Sequence, residues 1–200
     1  MARVNKNIKK VRVDKYSQGN RISPATLYAM LGFIVVVFAI IAIFSPSNQE
    51  KIYNAYQAYG VTTLPEDHPF YQVDYDGGLF SKGVEDYITS GEPTIVVLGF
   101  ASCGGCQAHI TPFATYFEST GVSEFIDRVY YYDVSVDQKG FAEFQGMFPE
   151  IPGSTPQIIL FMDGEIVAHY FATTENATNA TDINRNVRDF YEDALELING

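Results

Sequence analysis

No charged residue occurs between Ile22 and Gln49, and within that stretch Leu27 to Phe44 reads LYAMLGFIVVVFAIIAIF. A run that is apolar on every side cannot be the buried stripe of an ordinary surface helix. As a helix, about 20 such residues match the roughly 30 Å hydrocarbon core of a bilayer and satisfy their own backbone. The run therefore divides the chain. Residues 1–23 are a basic tail, 24–46 a transmembrane helix, 47–69 a juxtamembrane helix and linker, and 70–200 a folded domain.

Charge gives the division a direction. Residues 1–23 carry seven Lys/Arg (Arg3, Lys6, Lys9, Lys10, Arg12, Lys15, Arg21) against one acid, Asp14. Residues 24–200 carry six Lys/Arg against 23 Asp/Glu, and the whole chain has a net charge of −11. An acidic body excludes nucleic acid as a partner on charge grounds. Lys/Arg on the amino side of the span predict a cytoplasmic N-terminus, a disordered cytoplasmic tail and an extracytoplasmic domain, with the lipid bilayer as the partner of residues 24–46. A cleaved signal peptide is the competing reading, but the basic region and apolar run are long and no A-x-A-like site follows. No cysteine lies near the end of the run, which excludes a lipoprotein-type anchor. Ser45-Pro46-Ser47 ends the span. Asn48 to Tyr59 is expected as a short helix whose tyrosines suit the membrane interface or pack on the domain. Gly60 to Pro69 reads as a linker, with His68 a solvated loop histidine.

The domain alternates strands and helices. Phe70 to Tyr75 is a weak first strand, followed by a turn at Asp76-Gly77-Gly78 and a helix over Leu79 to Ser90. Thr94 to Phe100 is continuously apolar, the pattern of a strand buried on both faces. Cys106, Ile110, Phe113 and Phe117 share one helix face, and Pro112 within it predicts a kink. Phe125 to Arg128 connects to a strand over Val129 to Val136, then a helix over Lys139 to Phe148 and a Pro/Gly loop. Gln157 to Met162 and Glu165 to Phe171 form a hairpin around Asp163-Gly164, and Asp182 to Ile198 is an amphipathic helix. The order β-α-β-α-β-α-β-β-α is an α/β sandwich with parallel and antiparallel parts.

The only two cysteines stand between the apolar strand and the following helix, in Phe100-Ala101-Ser102-Cys103-Gly104-Gly105-Cys106. Three-residue spacing at a helix start brings two sulfurs within disulfide reach. Free N–H groups and the positive end of the helix dipole favour a thiolate on the first of them. Cys103 is therefore the candidate nucleophile and Cys106 the candidate resolving thiol, with exchange passing through a mixed disulfide. Gly104 and Gly105 leave the loop open to a protein substrate. A purely structural disulfide is disfavoured, since so short a loop removes little chain entropy. A closed zinc site needs two more ligands. His109 and His169 offer no recognised ligand spacing, so no metal is expected. His109 is read as a helix-surface residue near the thiols, and His169 as a strand residue without a site role.

FASCGGC after IVVLG, then Val136-Asp137-Gln138, Ile151-Pro152-Gly153-Ser154-Thr155-Pro156 and Asp163-Gly164, resemble the thioredoxin family over about residues 70–200. The resemblance implies a thioredoxin-like fold, a redox disulfide between Cys103 and Cys106, and no cofactor. It also implies a cis-proline at Pro156 facing the cysteines, with Thr155 and Pro156 binding substrate. The membrane-tethered layout resembles extracytoplasmic members, including the bacteriocin-accessory type. On this resemblance the chain is a thiol–disulfide oxidoreductase whose partners are cysteine pairs of exported clients and an unidentified electron partner. The alternatives are a non-catalytic binding module at the membrane and a metal carrier. Three departures stand out: Ser102 replaces the usual Trp, Val97 occupies the place of thioredoxin's buried acid, and Gly-Gly is neither the reductant nor the oxidant dipeptide. They leave the direction of electron flow open. Asn176-Ala177-Thr178 and Asn179-Ala180-Thr181 match glycosylation acceptor patterns, but are read as a polar loop.

Overall fold

Ser23 begins the first helix by accepting the Thr26 N–H on its side-chain oxygen at 3.1 Å. Pro24 follows at the first helical position, where a missing N–H costs nothing. In this computed structural model, residues 23–78 and 81–200 are described; the basic tail through residue 22 and the predicted start of a helix at Leu79 lie outside the described residues. Helix α1, Pro24–Phe44, presents its large apolar side chains outward, Phe33 at 70% and Phe38 at 67% exposure. Among the described residues it is the one helix long and apolar enough to cross a membrane. The chain divides into two compact units, residues 1–45 and residues 46–200.

That unit opens with α2, Asn48–Gln57, capped by Ser47. Ile52 and Tyr56 of α2 are buried in the main core, so part of this helix packs on the domain rather than facing a membrane surface. The segment expected as a linker has no regular element, yet Leu64 within it is buried. His68 corrects the expectation of a solvated histidine: it is 1% exposed. Its Nδ1 accepts the Phe70 N–H at 3.2 Å, its Nε2 donates to the Gln49 carbonyl at 3.0 Å, and the Gln49 side chain donates back to its carbonyl at 2.7 Å. The ring is a neutral tie between α2 and the first strand. Burial pushes its pKa down, in keeping with that state.

Strands β1 (Phe70–Val73), β2 (Thr94–Gly99), β3 (Val129–Asp133), β4 (Gln157–Met162) and β5 (Glu165–Phe171) form one sheet in the order β1-β3-β2-β4-β5. β1, β3 and β2 run parallel; β4 and β5 are antiparallel. The remaining elements are α3 (Val84–Ile88), α4 (Gly104–Ser119), a 3₁₀ turn (Val122–Glu124), α5 (Gln138–Met147) and α6 (Ala180–Asn199). This is the predicted order of strands and helices, and the topology is thioredoxin-like.

Each sheet face carries a core. Ile95, Val97 and Tyr131 meet α2, α4 and α6 on one side. Val96, Leu98 and Tyr132 meet α3 and α5 on the other. All six residues of β2 are buried, which is what its unbroken apolar run requires.

Two boundaries differ from expectation. The third helix is five residues long: Gly78 and Ser81 pair backbone to backbone, and the helix starts at Val84 behind its cap Gly83, whose N–H is taken by the Asp86 carboxylate. β3 stops at Asp133, whose carboxylate accepts from the N–H and hydroxyl of Ser135 and turns the chain. α4 runs through Pro112 to Ser119 without a break in the helix.

Candidate active site

β2 delivers the chain from the middle of the sheet to the start of α4, and Cys103 is the residue that caps this helix. Its sulfur takes the place a Ser or Asp oxygen usually holds, accepting the Cys106 N–H at 3.1 Å. The Cys103 N–H donates to Phe100 O at 3.1 Å, and the Gln107 side chain donates to Ala101 O at 2.9 Å. These bonds fix the turn ahead of the helix, so the sulfur is held rather than free to rotate. Cys103 is half-buried and Cys106 is 2% exposed. Neither is joined in a disulfide.

The opposite wall comes from 52 residues further along the chain. Thr155 donates its hydroxyl to Cys103 Sγ at 3.4 Å, and the Cys103 thiol lies 3.8 Å from Thr155 O. The Thr155–Pro156 peptide is cis. Pro156 faces Gly105 so closely that a Cβ there would lie 3.0 Å from Pro156 Cδ and 3.8 Å from Cys103 Sγ. Nothing lies within 4 Å of the corresponding position at Gly104. The two glycines thus differ: Gly104 faces open space, whereas Gly105 lets the helix end and the proline loop meet.

Electrostatics separates the two thiols. A hydrogen bond from Cys106 is the main cause that pulls the Cys103 pKa down, to about 5. Burial opposes the shift, while the Thr155 hydroxyl and the N–H groups of Cys106 and Gly105 add to it. Cys106 moves the opposite way, because its proton is held by Cys103 and because it is buried. One sulfur is prepared as a thiolate and the other keeps its proton, the division of labour that disulfide exchange requires.

Two histidines prove to be part of the surroundings. His109, which the sequence places on the helix surface, is 1% exposed. It lies three residues beyond Cys106, on the face that turns toward the sheet. Its Nδ1 donates to Gly105 O at 2.7 Å, and its Nε2 accepts the Tyr170 hydroxyl of β5 at 2.9 Å. Burial lowers its pKa and keeps it neutral. It ties the cysteine turn to the far strand, and only the helical period around Cys106 signals this in the sequence. His169, expected to have no site role, donates from Nε2 to Gln157 Oε1 at 2.8 Å. Gln157 is fully buried and its amide donates to Pro152 O at 2.7 Å and to Ser154 O. The loop that carries Thr155 and Pro156 is therefore pinned from below, and no local pattern marks Gln157 for that task. Among the described residues no three His, Cys, Asp or Glu side chains gather as a metal site. The sequon residues are structural: Asn179 caps α6, and Asn176 accepts the Thr173 N–H and donates to Phe171 O.

No family model and no curated protein matches the chain. Solved structures with a similar chain path include a thioredoxin variant from Halobacterium salinarum NRC-1, at 17% identity over 62% of this chain and 93% of that one, with a TM-score of 0.36. Thioredoxin O2 from Arabidopsis thaliana in its oxidised state aligns at 15% identity over 62% and 96%, with a TM-score of 0.39. Plasmodium falciparum thioredoxin aligns at 20% identity over 53% and 89%, with a TM-score of 0.35. The fold is carried by the strand order and the site by its own geometry.

Proposed function

We propose that this protein is a membrane-anchored thiol–disulfide oxidoreductase. Its α1 helix spans the bilayer and its catalytic domain faces outside, acting on cysteine pairs of exported proteins. The observation that carries the reading is the pairing of an N-cap sulfur, Cys103, with the hydroxyl of Thr155 at 3.4 Å, on the loop whose Pro156 meets the helix end. A structural thiol needs neither a polarised helix end nor a facing loop.

In the reducing direction the Cys103 thiolate attacks one sulfur of a client disulfide. The client's second sulfur leaves as a thiolate and is protonated. Cys106 then attacks Cys103 Sγ, the mixed disulfide breaks, and the remaining client sulfur leaves and takes up a proton. The client gains two electrons and the Cys103–Cys106 disulfide forms. In the oxidising direction every step is reversed. Client backbone beside the reacting cysteine pairs with the exposed edge at Thr155, the mode by which an extended peptide adds to a strand.

The Cys106→Ser variant tests the reading. Without the resolving thiol, mixed disulfides between Cys103 and clients accumulate and are released by reductant. Absence of any adduct, together with failure of the purified protein to reduce or oxidise a test disulfide, rejects catalysis. Sidedness is read by labelling Cys103 in intact cells with a membrane-impermeant thiol reagent; protection until lysis rejects the outside location. The reduction potential sets the direction: near about −270 mV the protein is a reductant, near about −120 mV an oxidant.

A further inference from the structure

A buried pair of hydroxyls lies under Cys106. Tyr56 of α2 and Tyr131 of β3 are 1% and 3% exposed, and their oxygens are 3.0 Å apart. Each tyrosine brings one O–H hydrogen, and the bond between them uses only one. Neither hydroxyl has another hydrogen-bond partner among the described residues. One buried O–H is therefore left to find an acceptor, and an unmet buried donor is costly.

The space at Gly99 adjoins both the tyrosine pair and a cysteine sulfur. A Cβ at residue 99 would lie 3.3 Å from Cys106 Sγ and 3.7 Å from the Tyr131 hydroxyl. The missing side chain leaves one gap that both atoms line. Tyr131 pairs in register with Val97 on the neighbouring strand, so its ring occupies the sheet face on which α4 sits. Either hydroxyl can donate in the bond between them; with Tyr56 as that donor, the Tyr131 hydrogen is left for the sulfur. A neutral thiol is a weak acceptor and a thiolate a strong one. Such a donor favours the charged form of Cys106.

We propose that Tyr131, oriented by Tyr56, is the positioning residue that stabilises the Cys106 thiolate during disulfide exchange. The step is the one in which the Cys106 thiolate attacks Cys103 Sγ, the Cys103–client bond breaks, and the departing client sulfur takes up a proton. In reverse, a client thiolate attacks Cys103 and Cys106 leaves as the thiolate, then protonated. The tyrosines remain protonated throughout. Burial is the main cause that holds both far above their ordinary range, and Asp133 at the end of β3 adds to it. The ionisable groups acting on this pair are Cys103 and Cys106 at the start of α4 and Asp133 at the end of β3. β2 contributes Gly99, which does not titrate.

This role deepens the proposed exchange activity, and its test separates the two. The full-length protein in detergent micelles is labelled with [β-13C]cysteine in a Cys103→Ser background, so that Cys106 gives the only signal. Its titration is followed by NMR with Tyr131→Phe and, separately, Tyr56→Phe. Tyr131→Phe raises the midpoint so that the thiolate fraction at fixed pH falls roughly tenfold or more, the scale of a hydrogen bond to a charged group. Tyr56→Phe moves it less, in the same direction. With Cys103 restored, resolution of a mixed disulfide slows by the same factor while attack by Cys103 is unchanged. An unmoved Cys106 midpoint in Tyr131→Phe overturns the role, and if that variant does not fold, an unmoved midpoint in Tyr56→Phe does so. A moved midpoint in a protein without exchange activity rejects the function and leaves the donor role standing.

Discussion

Gly104 and Gly105 look alike in the sequence and differ in the structure, which makes them a matched pair of probes. Neither has a positive φ, so alanine is compatible with the backbone at both. At Gly104 an added methyl meets nothing within 4 Å. Gly104→Ala should therefore stabilise by about 0.4–1 kcal/mol, through the reduced freedom of the unfolded chain. Gly105→Ala gains the same entropic benefit but places its methyl 3.0 Å from Pro156 Cδ. Its other neighbours are backbone and the reactive sulfur, and the proline ring cannot swing away. Overpacking of this kind costs about 1–3 kcal/mol. The difference between the two variants isolates that cost and corresponds to roughly 2–12 °C in Tm for a unit of about 150 residues. Urea unfolding followed by tyrosine fluorescence reads it, since the chain has no Trp. Alkylation of Cys103 should also slow in Gly105→Ala, because the facing loop is displaced. Equal stability of the two variants, within about 0.3 kcal/mol, would refute the close approach of Pro156 to the helix end, since additivity errors alone reach that size.

Other outcomes follow from the same geometry. Thr155→Val removes the hydroxyl that donates to Cys103 Sγ, so the Cys103 alkylation midpoint rises from about 5 toward its ordinary value, read from the pH dependence of the rate. Cys103 is a group whose folded pKa is depressed, so its contribution to the stability of the reduced form grows as pH rises from about 5 and is complete above its unfolded value. Urea midpoints of the reduced protein should accordingly rise across that window, and locking the disulfide should remove that part of the slope. The buried neutral His68 and His109 act in the same sense below their unfolded value near 6.5: the unfolded chain binds protons they refuse, so acid destabilises the oxidised protein as well. Phe117→Ala empties a 1%-exposed site between α4 and α6 and should cost about 3–5 kcal/mol in the same unfolding assay.

What the sequence discloses here depends on whether a residue's partner is local. β2, β4 and β5 are legible because continuous apolar runs and an Asp-Gly turn are local facts. Asp163 at φ 52° and Gly164 at φ 84° form the turn their chemistry demands. The cysteine turn is legible for the same reason. α2 is only half legible: its tyrosines are amphipathic, and whether they face lipid or protein depends on Tyr131, 75 residues away. His68 and His109 are not legible, because a polar side chain near a loop or a helix start looks solvated until its acceptor is known. Their partners, Gln49 O and Tyr170, lie 19 and 61 residues off in sequence. Burial of a neutral histidine costs little once both ring nitrogens are satisfied, so composition gives no warning of it. Gln157 follows the same logic: in an apolar strand it looks like an interruption, yet its amide meets two loop carbonyls and His169, and the interruption is what holds the proline loop against Cys103. Replacing Gln157 by Leu tests this directly. The apolar residue suits the strand, but it leaves Pro152 O and Ser154 O without their donor, at about 1–3 kcal/mol for each acceptor that stays buried. The loop should loosen and the Cys103 midpoint should rise as Thr155 drifts, although residue 157 never touches the sulfur. An unchanged midpoint in a folded Gln157→Leu protein would mean that the loop is held by the sheet alone.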